Sequence, residues 1–147
     1  MSRFVFFVFT LFATLFSQWA LAVPVSSTSS SSNSTSPVLE KRVDHHGRGT
    51  WFEVGLGNCG KWSVDSDKIV AIAKSRYDEN NGANCGQWVS ITDQKNGRHA
   101  YALILDSCQS CGRQDLDMSP SLFKQFEPLS IGELKIKWNF MPKGWHP

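Results

Sequence analysis

Four cysteines constrain the fold of this 147-residue chain more than any other feature. They are Cys59, Cys85, Cys108 and Cys111, and all lie in the C-terminal two thirds of the sequence. An even number of cysteines in a small extracellular domain is typical of two disulfides, for which three pairings are possible. The alternative is a zinc site built from all four thiolates, because Cys108 and Cys111 have the spacing of zinc ligands.

The N-terminal segment has the three parts of a secretory signal peptide. Arg3 supplies a positive charge, residues 4–16 are almost wholly apolar, and Ala20-Leu21-Ala22 offers small residues at a cleavage site. The apolar run is shorter than the ~20 residues that a membrane-spanning helix needs, so cleavage after Ala22 is favoured over a membrane anchor. Residues 1–22 are therefore predicted to be a signal peptide and the chain to be secreted.

A Ser- and Thr-rich segment follows at residues 23–42. It has too few large apolar residues to bury a core, so a disordered pro-segment is predicted. It carries a glycosylation sequon at Asn33 and ends in Lys41-Arg42, a dibasic pair typical of Kex-type processing sites. A chance pair in a flexible linker is the alternative. Cleavage after this pair would leave a mature domain of residues 43–147.

The predicted mature domain is electrically neutral. Residues 43–147 contain 12 Lys and Arg and 12 Asp and Glu, so the +2 charge of the whole chain belongs to the segment that would be removed. This balance gives no basis for binding nucleic acid or an anionic membrane. We expect a monomer without a cofactor or a metal ion.

Short apolar segments separated by turn residues indicate a mainly β domain. Strands are predicted at residues 50–54, 69–73, 87–92, 99–105 and 134–138. Residues 78–82 are predicted to form a loop and residues 93–97 a turn. One short helix is predicted to start with Ser119 as its N-cap and Pro120 in its first turn. About six short strands suit a small closed barrel or a sandwich.

Several motifs follow one another along this domain. They are Gly57-Asn58-Cys59-Gly60, Val70-Ala71-Ile72, Cys85-Gly86, Leu105 to Gly112, Leu116 to Phe123, and Leu134 to Trp138 after a Gly132 turn. Their order resembles the rare lipoprotein A-like, or barwin-like, double-psi β-barrel proteins, which include the first domain of expansins, loosenins and family 45 endoglucanases. The appearance is closest to small single-domain secreted fungal members. The resemblance covers about residues 50–139 and implies a six-stranded double-psi β-barrel with one or two short helices.

The resemblance also implies a disulfide pairing and a location outside the cell or in the cell wall. Cys59 would pair with Cys85, and Cys108 with Cys111. A redox-active Cys-x-x-Cys is the alternative for the second pair, although no thioredoxin-like βαβ pattern surrounds it. The loop departs from the family's common Asp-x-Cys-Pro-Gly-Cys, because Gln109-Ser110 stands between the two cysteines.

Asp117 is the first candidate for a functional role, since it matches the general acid of family 45 glycosidases that expansins keep. Such an acid must stay protonated, which burial beside apolar groups can arrange. The alternative is an Asp next to a helix start, where the pKa would fall. Hydrolysis needs a second carboxylate, and Glu53 is the only obvious candidate, although a strand Glu that faces solvent is the plainer interpretation.

Further binding candidates are Asp106, Trp62 and Trp145. The resemblance implies that Asp106 bonds loop amides, although it could line the same groove as Asp117. Trp62 and Trp145 are predicted to be exposed and able to stack on sugar rings, whereas Trp51, Trp88 and Trp138 are predicted to be core residues. His45 and His46 are predicted to belong to a flexible tail, with weak metal binding as the alternative.

Three functions are compatible with these residues. The favoured one is non-hydrolytic binding or loosening of cell-wall polysaccharide in a groove that contains Asp117 and Asp106. The second is a protein-binding module, such as a protease inhibitor or a secreted effector, that uses surface loops such as residues 78–84. The third is a weak glycoside hydrolase with Asp117 as acid and Glu53 as base.

Overall fold

The computed structural model describes residues 42–147, which form six strands and three short helices. The strands are β1 His45–Trp51, β2 Ile69–Ala73, β3 Trp88–Asp93, β4 His99–Cys108, β5 Leu116–Met118 and β6 Leu134–Phe140. The helices are α1 Lys74–Glu79, α2 Pro120–Phe123 and the 3-10 helix α3 Leu129–Ile131. None of the helices in residues 42–147 is long and apolar enough to cross a membrane. The predictions on Ala22, Asn33 and Lys41 lie outside the described residues.

The six strands close into a barrel with the hydrogen-bonded order β1-β5-β2-β4-β3-β6, and β6 pairs with β1. Two strand pairs, β1 with β5 and β2 with β4, are parallel, and the other four are antiparallel. Closure leaves no unpaired sheet edge. This is the six-stranded double-psi β-barrel that the motif order implies.

Alternate residues of the strands fill the barrel, as a period of two requires. The core cluster combines aliphatic strand residues with three aromatic rings, Phe123, Phe126 and Trp138. Strand β2 differs from the others because all five of its residues are buried. It therefore lies at the centre of the fold, with β4 on one side and β5 on the other.

Two strands differ from their prediction. Strand β1 begins at His45 rather than at Thr50, because His45 to Gly49 pair with β6. His45 is thus no part of a flexible tail, and its ring lies 4.4 Å from that of Trp138. Strand β5 was not predicted, and it places Asp117 on a strand rather than beside a helix start.

The helices also differ in part from their prediction. Residues 78 and 79, predicted as loop, end helix α1. Pro120 does start α2, as predicted, but Ser119 makes no side-chain cap. Its hydroxyl instead donates to the Asp67 carbonyl at 2.5 Å, which ties α2 to the chain ahead of β2.

Asp115 fastens the loop before β5 to strand β1. Its carboxylate accepts hydrogen bonds from the backbone N–H of Arg48 and of Gly112 at 2.8 and 2.9 Å. The Arg48 guanidinium adds an ion pair at 2.8 Å. Burial opposes ionisation of Asp115, but the hydrogen bonds from Arg48 and Gly112 outweigh it and lower the pKa of this carboxyl.

Replacing Asp115 should destabilise the barrel. Asp115→Ala leaves two backbone N–H groups without their acceptor, and we expect the free energy of unfolding to fall by roughly 1–3 kcal/mol. Asp115→Asn keeps an acceptor oxygen and should cost less. Urea denaturation at pH 7 measures both, and an Asp115→Ala protein as stable as the wild type would contradict the assignment.

The same contact predicts a pH dependence. A carboxyl with a lowered folded pKa contributes stability above its unfolded pKa, and this contribution is lost as the pH falls through the folded value. The wild type should therefore lose this part of its stability below about pH 4. Asp115→Asn should lack that step, whereas Glu133→Gln, which removes only an exposed pair with Arg48, should keep it.

Candidate functional site

The register of the strands places Asp117 and Asp106 on either side of Ala71. Ala71 pairs with Asp117 of β5 and with Asp106 of β4, and Thr50 of β1 pairs with Asp117. The register of β2 against β4 shifts after Val70: Val70 pairs with Ile104, but Ala71 pairs with Asp106, so the pairing skips one residue of β4. Such a bulge re-aims side chains. It brings Asp106 to the face of Ala71 and Asp117, while Ile104 stays in the core.

Asp117 has the surroundings of a carboxyl that resists ionisation. Burial raises its pKa, and the nearby charge of Asp106 adds to the rise, which outweighs the hydrogen bonds from Thr50 and the Met118 backbone. The Thr50 hydroxyl donates to Asp117 Oδ1 at 2.7 Å. The direction is the one that a proton donor needs and the opposite of the helix-start alternative.

Asp106 is held by backbone groups. Its Oδ1 accepts hydrogen bonds from the N–H of Asn58 at 2.8 Å and of Ser107 at 2.7 Å. The Asn58 side chain also bonds the Ser107 hydroxyl at 2.5 Å. Asp106 therefore fastens the chain around Asn58 to the end of β4, as the resemblance implies.

The chain around Asn58 is a small hairpin, which we call the hairpin loop (residues 55–64). Leu56 and Trp62 form an antiparallel bridge, and the N–H groups of Gly57 and Ser63 bond across it at 2.9 Å. Three large apolar side chains project from this loop into solvent. They are Leu56, Trp62 and Val64, which are 68%, 74% and 51% exposed.

The hairpin loop is rigidly attached to the barrel. A disulfide joins Cys59 to Cys85, and the Cys59 N–H donates to the Leu105 carbonyl at 3.2 Å. The Tyr77 hydroxyl donates to the Asn58 carbonyl at 2.9 Å. A Cβ on Gly57 would lie 2.3 Å from the Leu105 carbonyl oxygen, so only glycine allows this close approach.

The second disulfide joins Cys108 to Cys111 and lies beside Asp117. One carboxylate oxygen of Asp117 and the two sulfurs lie within 4.8 Å of one another. Both pairings are those that the resemblance implies. All four cysteines are thereby oxidised, which excludes the four-thiolate zinc alternative for this structure.

Glu53 lies in a different environment from Asp117. It lines an open groove of about 470 Å³ together with Trp51, Lys124 and Leu129, and Asp117 is not part of this lining. The two carboxyl groups proposed as acid and base of hydrolysis thus lie in different surroundings, Asp117 half-buried on β5 and Glu53 exposed at the groove.

The tryptophans only partly follow their predicted positions. Trp62 is exposed, as predicted, and Trp138 is buried with its Nε1 donating to the Gln114 carbonyl. Trp145 is half-buried, and its ring contacts those of Tyr101 and Trp88. Trp51 and Trp88 are half-buried; Trp51 packs against the core cluster, as predicted, whereas Trp88 does not belong to that cluster.

The apolar residues Leu56 and Val64 were missed as candidates. Both lie between turn residues and were assigned to no element. A usable signal was present, because Gly55, Gly57 and Gly60 flank this stretch and Cys59 lies within it. Large apolar residues in a glycine-rich turn cannot all reach a core, so some of them must face solvent.

Comparisons with known proteins agree with this fold. A papain inhibitor of Streptomyces mobaraensis is 32% identical over 101 residues, which cover 65% of this chain and 70% of that protein. The solved structure of the Streptomyces papain inhibitor is 30% identical with a TM-score of 0.60, and the match covers 67% of this chain and 94% of the inhibitor. No family model matches the chain.

Two expansin structures from Clavibacter michiganensis share the fold. The apo form is 24% identical, and a mutant in complex with cellohexaose is 22% identical. Each has a TM-score of 0.60 over 71% of this chain and 54% of the expansin, so the chain spans about half of the expansin's length. None of these relatives is fungal, and the fungal affinity of the chain stays a prediction.

Fold and site together define a small double-psi β-barrel with two disulfides and a carboxyl pair on its surface. The chain belongs to the rare lipoprotein A-like family of these barrels, within which it is related to the papain inhibitor.

The two disulfides should differ in their contribution to stability. Cys59 and Cys85 are 26 residues apart, so replacing both by Ser should lower the free energy of unfolding by roughly 3–4 kcal/mol in the chain-entropy model. The three-residue separation of Cys108 and Cys111 predicts a loss of only about 1–2 kcal/mol for the matching double variant. Chemical denaturation compares the two double variants. An equal loss of unfolding free energy would show that the entropy of loop closure is not the main source of stabilisation by these disulfides.

Proposed function

We propose that this protein inhibits papain-like cysteine proteases and that the hairpin loop is its binding surface. The observation that carries the proposal is the exposure of Leu56, Trp62 and Val64 on a loop that a disulfide fixes. The relationship to the papain inhibitor of Streptomyces mobaraensis supports the same class of target.

Physical reasoning supports this surface for two reasons. A soluble domain rarely exposes several large apolar side chains side by side unless they contact a partner. A loop that is already ordered loses little conformational entropy on binding, so more of the contact energy becomes affinity. Trp62 is the expected anchor, because Trp is enriched among the residues that dominate binding energy.

We also propose an extracellular location and a processed form of residues 43–147. Two disulfides support an oxidising compartment. Arg42, Val43 and Asp44 are exposed and precede β1, which suits access of a processing protease to a site after Arg42.

Variants of the hairpin loop test protease inhibition. Trp62→Ala and Leu56→Ser should each weaken inhibition of papain, with a cost of about 2 kcal/mol for Trp62, or on the order of thirtyfold in the inhibition constant. Ile131→Ser is the matched control, because Ile131 is 50% exposed but lies outside the hairpin loop, in α3. It should inhibit as well as the wild type.

Circular dichroism and thermal denaturation establish that each variant is folded before inhibition is measured. Wild-type protein that leaves papain fully active at micromolar concentration would refute the proposal. If both loop variants still inhibit papain, the proposed function stands but its binding surface lies outside the hairpin loop.

A second candidate is non-hydrolytic binding of cell-wall polysaccharide. The specific observation in its favour is the carboxyl of Asp117, whose burial raises its pKa on the barrel face next to Asp106, which in turn anchors the hairpin loop that carries the exposed Trp62. A protonated carboxyl can donate a hydrogen bond to a sugar hydroxyl, and a Trp face can stack on a sugar ring.

The two candidates predict opposite effects for one pair of variants. If polysaccharide is bound at this face, Asp117→Ala should reduce sedimentation with insoluble cellulose or chitin about tenfold or more, since a buried hydrogen bond to the sugar is lost. Leu56→Ser should not affect it. If the protein only inhibits proteases, Leu56→Ser should weaken the inhibition of papain and Asp117→Ala should leave it unchanged. Absence of binding to either polymer would remove the second candidate.

A further inference from the structure

The two sulfurs of the Cys108–Cys111 disulfide differ in their accessibility. Cys108 ends β4 and is only 8% exposed, whereas Cys111 lies in the following loop and is half-buried. Thiol–disulfide exchange requires a thiolate to reach one sulfur and to expel the other. An incoming thiol therefore has better access to Cys111, and Cys108 would be the sulfur that is expelled.

Expulsion of Cys108 would create a thiolate in a nearly buried position. Burial disfavours the charged form of a thiol, so this step is slow unless a proton is supplied as the bond breaks. Asp117 is the candidate donor, because one of its carboxylate oxygens lies within 4.8 Å of both sulfurs, a separation that one bridging water can span. In residues 42–147 this is the one group of three cysteine, histidine or acidic side chains that lie so close together.

We propose that the Cys108–Cys111 disulfide exchanges with external thiols, with Asp117 as the proton donor to the departing Cys108 sulfur. This is an activity separate from protease inhibition and from polysaccharide binding. Neither of those functions requires the Asp117 carboxyl to lie beside the Cys108–Cys111 disulfide, whereas thiol exchange accounts for their proximity.

The reaction balances with two thiols as the reductant. The first thiolate bonds to Cys111 Sγ, the sulfur–sulfur bond breaks, and Cys108 takes the proton of the Asp117 carboxyl. A second thiolate then attacks the sulfur of the first, which forms the external disulfide and releases Cys111 as a thiolate that is protonated by water. Two electrons pass from the two external thiols to the protein disulfide, and solvent restores the proton of Asp117.

The Cys59–Cys85 disulfide provides an internal control. Cys85 is exposed, so accessibility alone would make this the faster pair to react. Its sulfurs have no such acidic neighbour in the described part of the chain. The proposal therefore predicts the opposite order of reactivity from the one that exposure predicts.

Reduced glutathione is the probe for the test. The purified oxidised protein is incubated with it between pH 5 and pH 8, free thiols are trapped with iodoacetamide, and peptide mass spectrometry locates them. Cys108 and Cys111 should be alkylated at least about tenfold faster than Cys59 and Cys85. The shorter loop of Cys108–Cys111 also favours its reduction, so the rate order alone is not sufficient and the Asp117 variant decides.

Asp117→Asn keeps the shape of the side chain but carries no proton to give. We expect it to slow exchange at Cys108–Cys111 about tenfold or more at equal glutathione thiolate concentration, with Cys59–Cys85 unaffected. In the wild type, the rate per thiolate should fall as the pH rises through the pKa of Asp117, and the variant should lack this fall. Asp106 is the charged group that acts on Asp117, so Asp106→Asn should move the fall to lower pH.

Thr50→Val gives a second, opposite test that does not remove the carboxyl. It deletes the hydrogen bond that favours ionised Asp117, so the fall in rate should move to higher pH. Equal rates and equal pH profiles for the wild type and Asp117→Asn would overturn the proposal, as would an unshifted profile in Thr50→Val. Neither result would bear on papain inhibition, which is measured without glutathione.

Discussion

The insertion of the three-residue strand β5 between β1 and β2 is the pairing on which the rest of the structure depends. Without it the barrel would be open along both strands, and β2, which is buried on all five residues, would lose one of its two neighbours. A strand of three residues contributes few hydrogen bonds of its own. The hydrogen bonds between Asp115 and Arg48, together with the Cys108–Cys111 disulfide, hold the loop that leads into β5.

The same insertion creates the carboxyl pair. Asp117 is the middle residue of β5, so its alternation with Leu116 and Met118 turns it outward while both neighbours enter the core. The bulge between β2 and β4 then brings Asp106 to the same face. The proximity of Asp117 to Asp106 and to the disulfide therefore follows from strand register, not from any local motif.

Local patterns predicted the elements that carry enough apolar residues to be recognised alone. Strands β2, β3, β4 and β6 and the Pro120 helix start all lie within a few residues of their predicted positions. Only the last two residues of strand β1 were predicted, because His45 to Gly49 have low strand propensity and extend only through pairing with β6. Strand β5 is too short to show a period, and the partial burial of Asp117 depends on packing that no local pattern contains.

The close approach of Gly57 to the Leu105 carbonyl has a consequence for how this loop can change over evolution. The positions that hold the hairpin in place are Gly57, Cys59 and the partners of Asp106, and none of them is among its outward-facing apolar side chains. Substitutions at Leu56, Trp62 and Val64 can therefore alter the shape and chemistry of the exposed surface while its anchoring is retained. The barrel is thus a rigid support that stays the same while the chemistry of the loop it carries is free to vary.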